Sequence, residues 1–249
     1  MTRRFYVDPP ALAGDRIEIT GALAQRLANV LRLGLGDEIE LFDGDGDEVR
    51  ARIETISSKR VLVAVVERRE GRPEPHVKVH LYQSITKGER FEWLLEKVTE
   101  IGVSRIVPLI AARAVVKTAG AGSRMDRWRR IVVEAAEQCG RGAIPAVDAT
   151  QRFDEALAAA PGLLLVPYEA AGASAPTIHA ILNREIDALY ALGEVSIFIG
   201  PEGGFEEAEA ERAEAAGAAV VTLGERVLRS ETAGLVAATL VLHAAGELG

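Results

Sequence analysis

Two short stretches near the C-terminal end of this 249-residue chain carry residues that could do chemistry. The first is Gly200-Pro201-Glu202-Gly203-Gly204, which follows the apolar run VSIFI (195–199) and precedes an acid-rich helical pattern from Phe205 to about Ala216. Three glycines in five residues let the backbone turn sharply and approach a ligand, because no Cβ stands in the way. No Gly-Lys-Ser/Thr follows, so this is not a Walker A loop, and it lacks the dinucleotide GxGxxG spacing. Glu202, Glu206 and Glu207 would repel a phosphate from the helix start but suit a cationic or neutral ligand. A plain strand-to-helix turn would have the same composition.

The second stretch runs from AVVTL (219–223) through Gly224-Glu225-Arg226-Val227-Leu228-Arg229-Ser230-Glu231-Thr232-Ala233, with Ser230 placed to cap the long helix that follows. This loop holds two arginines and two carboxylates between apolar anchors. A capped helix start with surface ion pairs is the bland alternative. If both loops sit at the ends of neighbouring strands, they converge where open α/β sheets bind ligands.

The elements that must position them change character near residue 72. Residues 3–7, 38–42, 48–55 and 60–66 are short and β-prone, broken by Asp43-Gly44-Asp45-Gly46-Asp47, with a helical patch around 21–33. This predicts a small β-barrel-like domain over 1–72. GRPEP (71–75) reads as a linker, since two prolines oppose both helix and ladder. Over 73–249, strand candidates at 77–83, 104–110, 163–166, 195–199 and 219–223 alternate with helical patterns at 88–101, 125–139, 153–160, 205–216 and 231–247. That order predicts a buried, mostly parallel sheet covered on both faces. Trp93 and Trp128 are read as core anchors rather than stacking platforms.

The net charge of −8 opposes a nucleic-acid partner only as a sum. Residues 1–160 hold 25 basic and 24 acidic side chains, whereas 161–249 hold 4 and 13. The segment 113–130 sets Arg113, Lys117, Arg124, Arg127, Arg129 and Arg130 against Asp126 alone, which is either a phosphate-facing surface or an ordinary solvated face. A lone cysteine, Cys139, excludes an internal disulfide, and four scattered histidines show no metal-ligand spacing. The N-terminus lacks the apolar core of a signal peptide, and no run reaches the length of a membrane span. The expectation is a metal-free cytoplasmic protein.

The run IGPEGGFEEAEAERAEAAGAAVVTLGERVLRSETAGLVAATLVL (199–242) resembles the C-terminal signature of the bacterial 16S ribosomal RNA (uracil-N3)-methyltransferases of the SPOUT superfamily. RRFYV (3–7), VLRLGLGDEIELFDGDG (30–46), ITKGERFEWLLEKVTEIGVSRIVPLIAARAVVK (85–117) and RWRRIVVEAAEQCGR (127–141) extend the resemblance along nearly the whole chain. Two departures stand out. ALAQRLAN (22–29) lacks a histidine pair common in the family, and Thr86 replaces the usual proline before Lys87-Gly88.

The resemblance implies an α/β domain with a deep C-terminal trefoil knot, preceded by a PUA-like RNA-binding domain. The knot rests on the resemblance alone, threaded chains being rare. It also implies S-adenosylmethionine as cofactor, a uridine of the decoding region of 16S ribosomal RNA as target, and a homodimer in which each RNA domain serves its partner. Carried onto this sequence, the cofactor contacts are Val166, Pro167, Gly200, Pro201, Glu202, Gly203, Gly204, Leu223, Gly224, Val227, Leu228, Arg229, Ser230, Glu231 and Ala233. Arg229, then Arg226, would stabilise the uracil anion, and Glu231 or Glu202 would take the proton. Arg3, Arg4, Lys87, Arg113, Lys117 and Arg127 are the RNA-contact candidates, and the apolar helix at 234–246 suits a dimer interface or burial within one monomer. Competing readings are a ribose 2′-O or other-RNA methyltransferase of the same superfamily and a non-catalytic RNA-binding assembly factor. GERVLRSETA lacks the asparagine usual in ribose methylators.

Overall fold

A computed structural model describes residues 3–114, 122–172 and 175–249, so Lys117 lies outside the described residues. The chain divides into two compact units, one of residues 1–74 with 136–144, the other of 75–135 with 145–249.

The smaller unit is a five-stranded sheet of β1 (Arg3–Tyr6), β2 (Arg16–Thr20), β3 (Glu38–Phe42), β4 (Asp47–Ile56) and β5 (Arg60–Glu70), in the order β1-β3-β4-β5-β2. Among the described strands of this sheet, β1 and β3 pair in parallel and the other pairs are antiparallel. Alternation fixes which face is buried: Phe5, Ile17, Ile19, Ile39, Leu41, Val61 and Val63 point into one core with Leu27. Phe5 is a core residue of the first strand, 2% exposed. The acidic turn after β3 is an Asx turn. Asp43 Oδ1 accepts from the backbone N–H groups of Asp45, Gly46 and Asp47 at 2.8, 3.1 and 3.1 Å. Strand β2, RIEIT, alternates correctly but is only five residues long, and the sequence reading passed over it. The helical patch is a single turn, α1 (Gly21–Gln25), running into a wider π turn over Arg26–Val30.

The larger unit is a parallel sheet of β6 (Lys78–Ser84), β7 (Arg105–Ile110), β8 (Ala146–Val147), β9 (Gln151–Arg152), β10 (Leu163–Pro167), β11 (Glu194–Ile199) and β12 (Ala219–Val221). Its order is β12-β10-β11-β6-β7-β8, with β9 also on β7. The helices are α2 (Arg90–Ile101), α3 (Ser123–Cys139), α4 (Phe153–Ala159), α5 (Ile178–Arg184), α6 (Ile186–Leu192), α7 (Glu207–Ala215) and α8 (Ser230–Ala244). The last turn of α3 belongs to the smaller unit. Strands β6 and β11 are buried along nearly their whole length, as a sheet covered on both faces requires. Helices α5 and α6 and the two-residue strands β8 and β9 have no counterpart in the sequence reading, being too short for a periodicity to show. Helix α7 starts at Glu207, later than expected. Phe205 instead turns inward and packs on Phe153, ring centroids 5.0 Å apart, while Glu206 and Glu209 form the capping box. Among the described residues no helix is long and apolar enough to cross a membrane.

One buried titratable group has a measurable consequence for stability. His80, on β6, is 7% exposed, with Nε2 3.4 Å from Glu194 Oε1. Burial lowers its pKa, Glu194 opposes the shift, and Arg105 and Lys78 add to it. The folded chain therefore binds this proton less readily than the unfolded chain, and the neutral form's stability is lost as pH falls below about 6.5. Urea unfolding between pH 8 and 5 should show a stability slope that flattens in His80→Gln, by at most about 1.4 kcal/mol per pH unit. Superimposable slopes for the two proteins would refute this account.

Candidate active site

Three loops meet at the carboxyl ends of β10, β11 and β12. Pro167 ends β10 and Glu169 follows it, Gly200, Pro201, Glu202 and Gly204 follow β11, and Val227, Leu228, Arg229, Ser230 and Ala233 follow β12. Together they line a crevice of about 360 Å³ with Ile199 and Arg90. A lobe of about 90 Å³ continues it along Tyr168, Thr222, Leu223, Gly224, Glu225 and Arg226. Both glycine- and arginine-bearing loops thus share one pocket.

The loops are locked to one another by hydrogen bonds through buried polar groups. Gln83, at the end of β6, donates from Nε2 to Ser230 Oγ at 2.9 Å. Ser230 Oγ in turn donates to the Gly200 carbonyl at 2.5 Å. Gly234 is what lets α8 lie this close, since a Cβ there would run into the Gln83 side chain. Ser230 is consequently not the helix cap the sequence suggested. It is the first residue of α8, and its hydroxyl is committed sideways to Gln83 and Gly200 rather than to the helix's own N–H groups. Lys87 N donates to Glu202 Oε1 at 3.0 Å, tying the 85–89 loop to the glycine turn. The buried Glu209 carboxylate accepts from Ala112 N and Glu206 N, both at 2.9 Å, and so anchors the start of α7.

The predicted residues distribute as follows. Pro167, Gly200, Pro201, Glu202, Gly204, Val227, Leu228, Arg229, Ser230 and Ala233 line the main crevice, and Leu223 and Gly224 line its smaller lobe. Gly203 sits behind the turn, its carbonyl accepting from Arg113 Nη1 at 3.0 Å. Val166 is a correction: it is fully buried in the core on β10, because the strand alternates and Pro167, not Val166, reaches the crevice. Arg226 lines the small lobe, apart from Arg229. Glu231 lines an adjoining hollow of about 660 Å³ with Lys87, Gly88, Glu89, Arg90, Trp93, Arg229 and Thr232. Its side chain is 9% exposed, Oε1 lies 3.8 Å from Arg90 Nε, and Oε2 has no hydrogen-bond partner among the described residues. Arg90 and Arg229 border both spaces.

Of the RNA-contact candidates, Arg3, Lys87, Arg113 and Arg127 are exposed. Arg127 pairs with Glu92 at 2.7 Å and Arg3 donates to the Leu31 carbonyl at 3.0 Å. Arg4 is a second correction. Its guanidinium is buried against Glu48 at 2.5 Å, donates to the Arg141 carbonyl at 2.9 Å and lies 4.2 Å over the Phe42 ring. It is a structural cation of the small unit, not a surface one. Trp128 is the core anchor expected, 2% exposed and packed on Phe91, but Trp93 is 43% exposed. Gln83, Arg90 and Glu169 were missed. A polar residue ending an otherwise apolar strand, as Gln83 does, was the available signal.

A glycine-lined crevice at the carboxyl ends of an open parallel sheet defines an α/β domain built to hold a small molecule. The chain belongs to the RNA methyltransferase family, whose domain matches residues 72–242, with the RNA methyltransferase PUA domain matching 27–66. It is 32% identical to ribosomal RNA small subunit methyltransferase E of Bacillus subtilis over 90% of this chain and 89% of that protein. The protein of that name from Mycobacterium tuberculosis is 34% identical over 94% and 88%. Among solved structures, ribosomal RNA small subunit methyltransferase E of Neisseria gonorrhoeae, bound to S-adenosyl methionine, covers 98% of both chains at 32% identity and a TM-score of 0.83. A putative methyltransferase of Legionella pneumophila with its cofactor bound gives 0.84 at the same identity and coverage.

Proposed function

We propose that this chain methylates N3 of a uridine in the 16S ribosomal RNA of the small subunit, with S-adenosylmethionine as donor. The observation that carries the reading is the convergence of three loops on one crevice, with Arg229 on its wall and Glu231 in the hollow adjoining it. The relatives' small-subunit substrate and the cofactor held by the solved neighbours support it.

The crevice fits that cofactor on its own residues. Pro167, Ile199, Val227 and Leu228 offer apolar walls to an adenine, and the glycine turn leaves backbone groups open. Gly204 is held at φ +67, and the space a Cβ would take there is filled by the Glu169 carboxylate, which with Glu202 sets negative charge around a cationic ligand. When bound, S-adenosylmethionine supplies a methyl group on an electron-poor sulfonium. The protein's part is alignment and charge. Uracil N3 becomes nucleophilic on losing its proton, and the resulting charge spreads onto O2 and O4, where the Arg229 guanidinium stabilises it. Glu231 Oε2, which has no hydrogen-bond partner among the described residues, would accept that proton. Glu202 is the weaker choice, because it is already held by Lys87 N.

Arg3, Lys87, Arg113 and Arg127 are proposed to meet RNA phosphates. The first belongs to the smaller unit, the proposed PUA-like RNA-binding domain over 1–72; the rest belong to the methyltransferase domain over 73–249. The partly exposed Leu235, Val236 and Leu240 of α8 are proposed as part of a homodimer interface, and the knot and a cytoplasmic location are proposed with the family. Incubation with labelled S-adenosylmethionine and small subunits lacking the modification tests the activity. Label on a uracil base, with reverse transcription halting one nucleotide before it, is the expected result. Label on ribose, or none, would refute the reading.

A further inference from the structure

Helix α2 hides Phe91, Leu94, Leu95 and Val98, yet turns Trp93 outward, where its ring lines the hollow beside Arg229 and Glu231. An indole 43% exposed wastes apolar area unless something covers it. Its neighbours on the outward face of α2 are Arg90, Glu96, Lys97 and Glu100, a charged setting rather than the apolar one a permanent protein interface needs. The hollow itself combines a flat aromatic surface, the cations Lys87, Arg90 and Arg229, and the buried Glu231 Oε2, which accepts from nothing among the described residues. It opens onto the cofactor crevice through Arg90 and Arg229, which line both.

We infer that this hollow is the acceptor subsite and that Trp93 is the surface on which the extruded pyrimidine stacks. The inference rests on the uracil-N3 reading of the site. Stacking on Trp93 presents the base edge-on to Glu231 and Arg229, while Lys87 and Arg90 flank the incoming backbone phosphates. A stacking platform tolerates any aromatic ring but not a methyl group, and truncating one weakens binding roughly five- to hundredfold.

Trp93→Ala and Trp93→Phe, both at an exposed position, decide the matter when compared with the unaltered chain. The expected result is a loss of roughly five- to hundredfold in kcat/KM toward small subunits for the alanine variant. The phenylalanine variant should stay near the parent, and cofactor Kd should be the same in all three. The chain has two tryptophans, so Trp128→Phe isolates Trp93 emission. A short single-stranded RNA carrying the target uridine should quench it, and an abasic counterpart should not. Alanine at wild-type kcat/KM, equal quenching by both RNAs, or a loss of activity that tracks dissociation of an oligomer in sedimentation would overturn the assignment. If the parent enzyme itself transfers no label, the methyltransferase reading fails separately, and the quenching result still decides whether Trp93 meets a base.

Discussion

Arg229→Ala is expected to lower kcat by about two to three orders of magnitude, the cost of removing one preorganised charge-stabilising donor. Cofactor affinity should barely change, for an electrostatic reason. The reacting centre of the donor is a sulfonium cation, which a guanidinium does not attract, so the Arg229 charge is expected to act mainly on the acceptor. Arg229 borders both the cofactor crevice and the hollow beside it, so its charge is felt where negative charge develops on the base. Arg226→Ala, lying in the small lobe, should lose far less. Steady-state kinetics with small subunits, paired with calorimetry of cofactor binding, separate the two contributions. Parallel losses in kcat and in cofactor affinity would make Arg229 a cofactor ligand instead.

Gly204→Ala should have the largest effect on cofactor binding. The residue sits at φ +67, a conformation costing an L side chain about 1–2 kcal/mol. Its Cβ would also displace the Glu169 carboxylate from the crevice wall. The turn closes through Gly204 N donating to the Pro201 carbonyl at 2.9 Å, so the strain falls on the loop itself. A drop of at least about tenfold in cofactor affinity is expected, with stability reduced by about 1–2 kcal/mol. Gly203→Ala is the control. A Cβ there meets only the Arg113 side chain at 3.5 Å, ordinary contact, and its φ is unstrained. Equal affinities for the two alanine variants in calorimetry would remove the special role assigned to Gly204.

After residue 75, apolar runs and helical periodicity alone specify strands β6, β7, β10, β11 and β12 and the longer helices, whereas α5, α6, β8 and β9 are too short to show a pattern. The sequence also determined both chemical loops, since their glycines, arginines and carboxylates lie within a few residues of one another. Short-range order is written in short-range pattern. It did not determine which of those residues face the crevice. Val166 and Pro167 are adjacent, yet strand pleating buries the first and exposes the second. Arg4 looks like a surface cation beside Arg3, and only the arrival of Glu48 and of the residue 140–141 carbonyls from elsewhere in the chain makes it internal. Ser230 reads as a cap until Gln83 and Gly200, 147 and 30 residues away, claim its hydroxyl. Trp93 reads as core until α2 is docked and its outward face is known. Each of these was decided by partners distant in sequence, whose positions follow from strand order and helix packing rather than from local propensity.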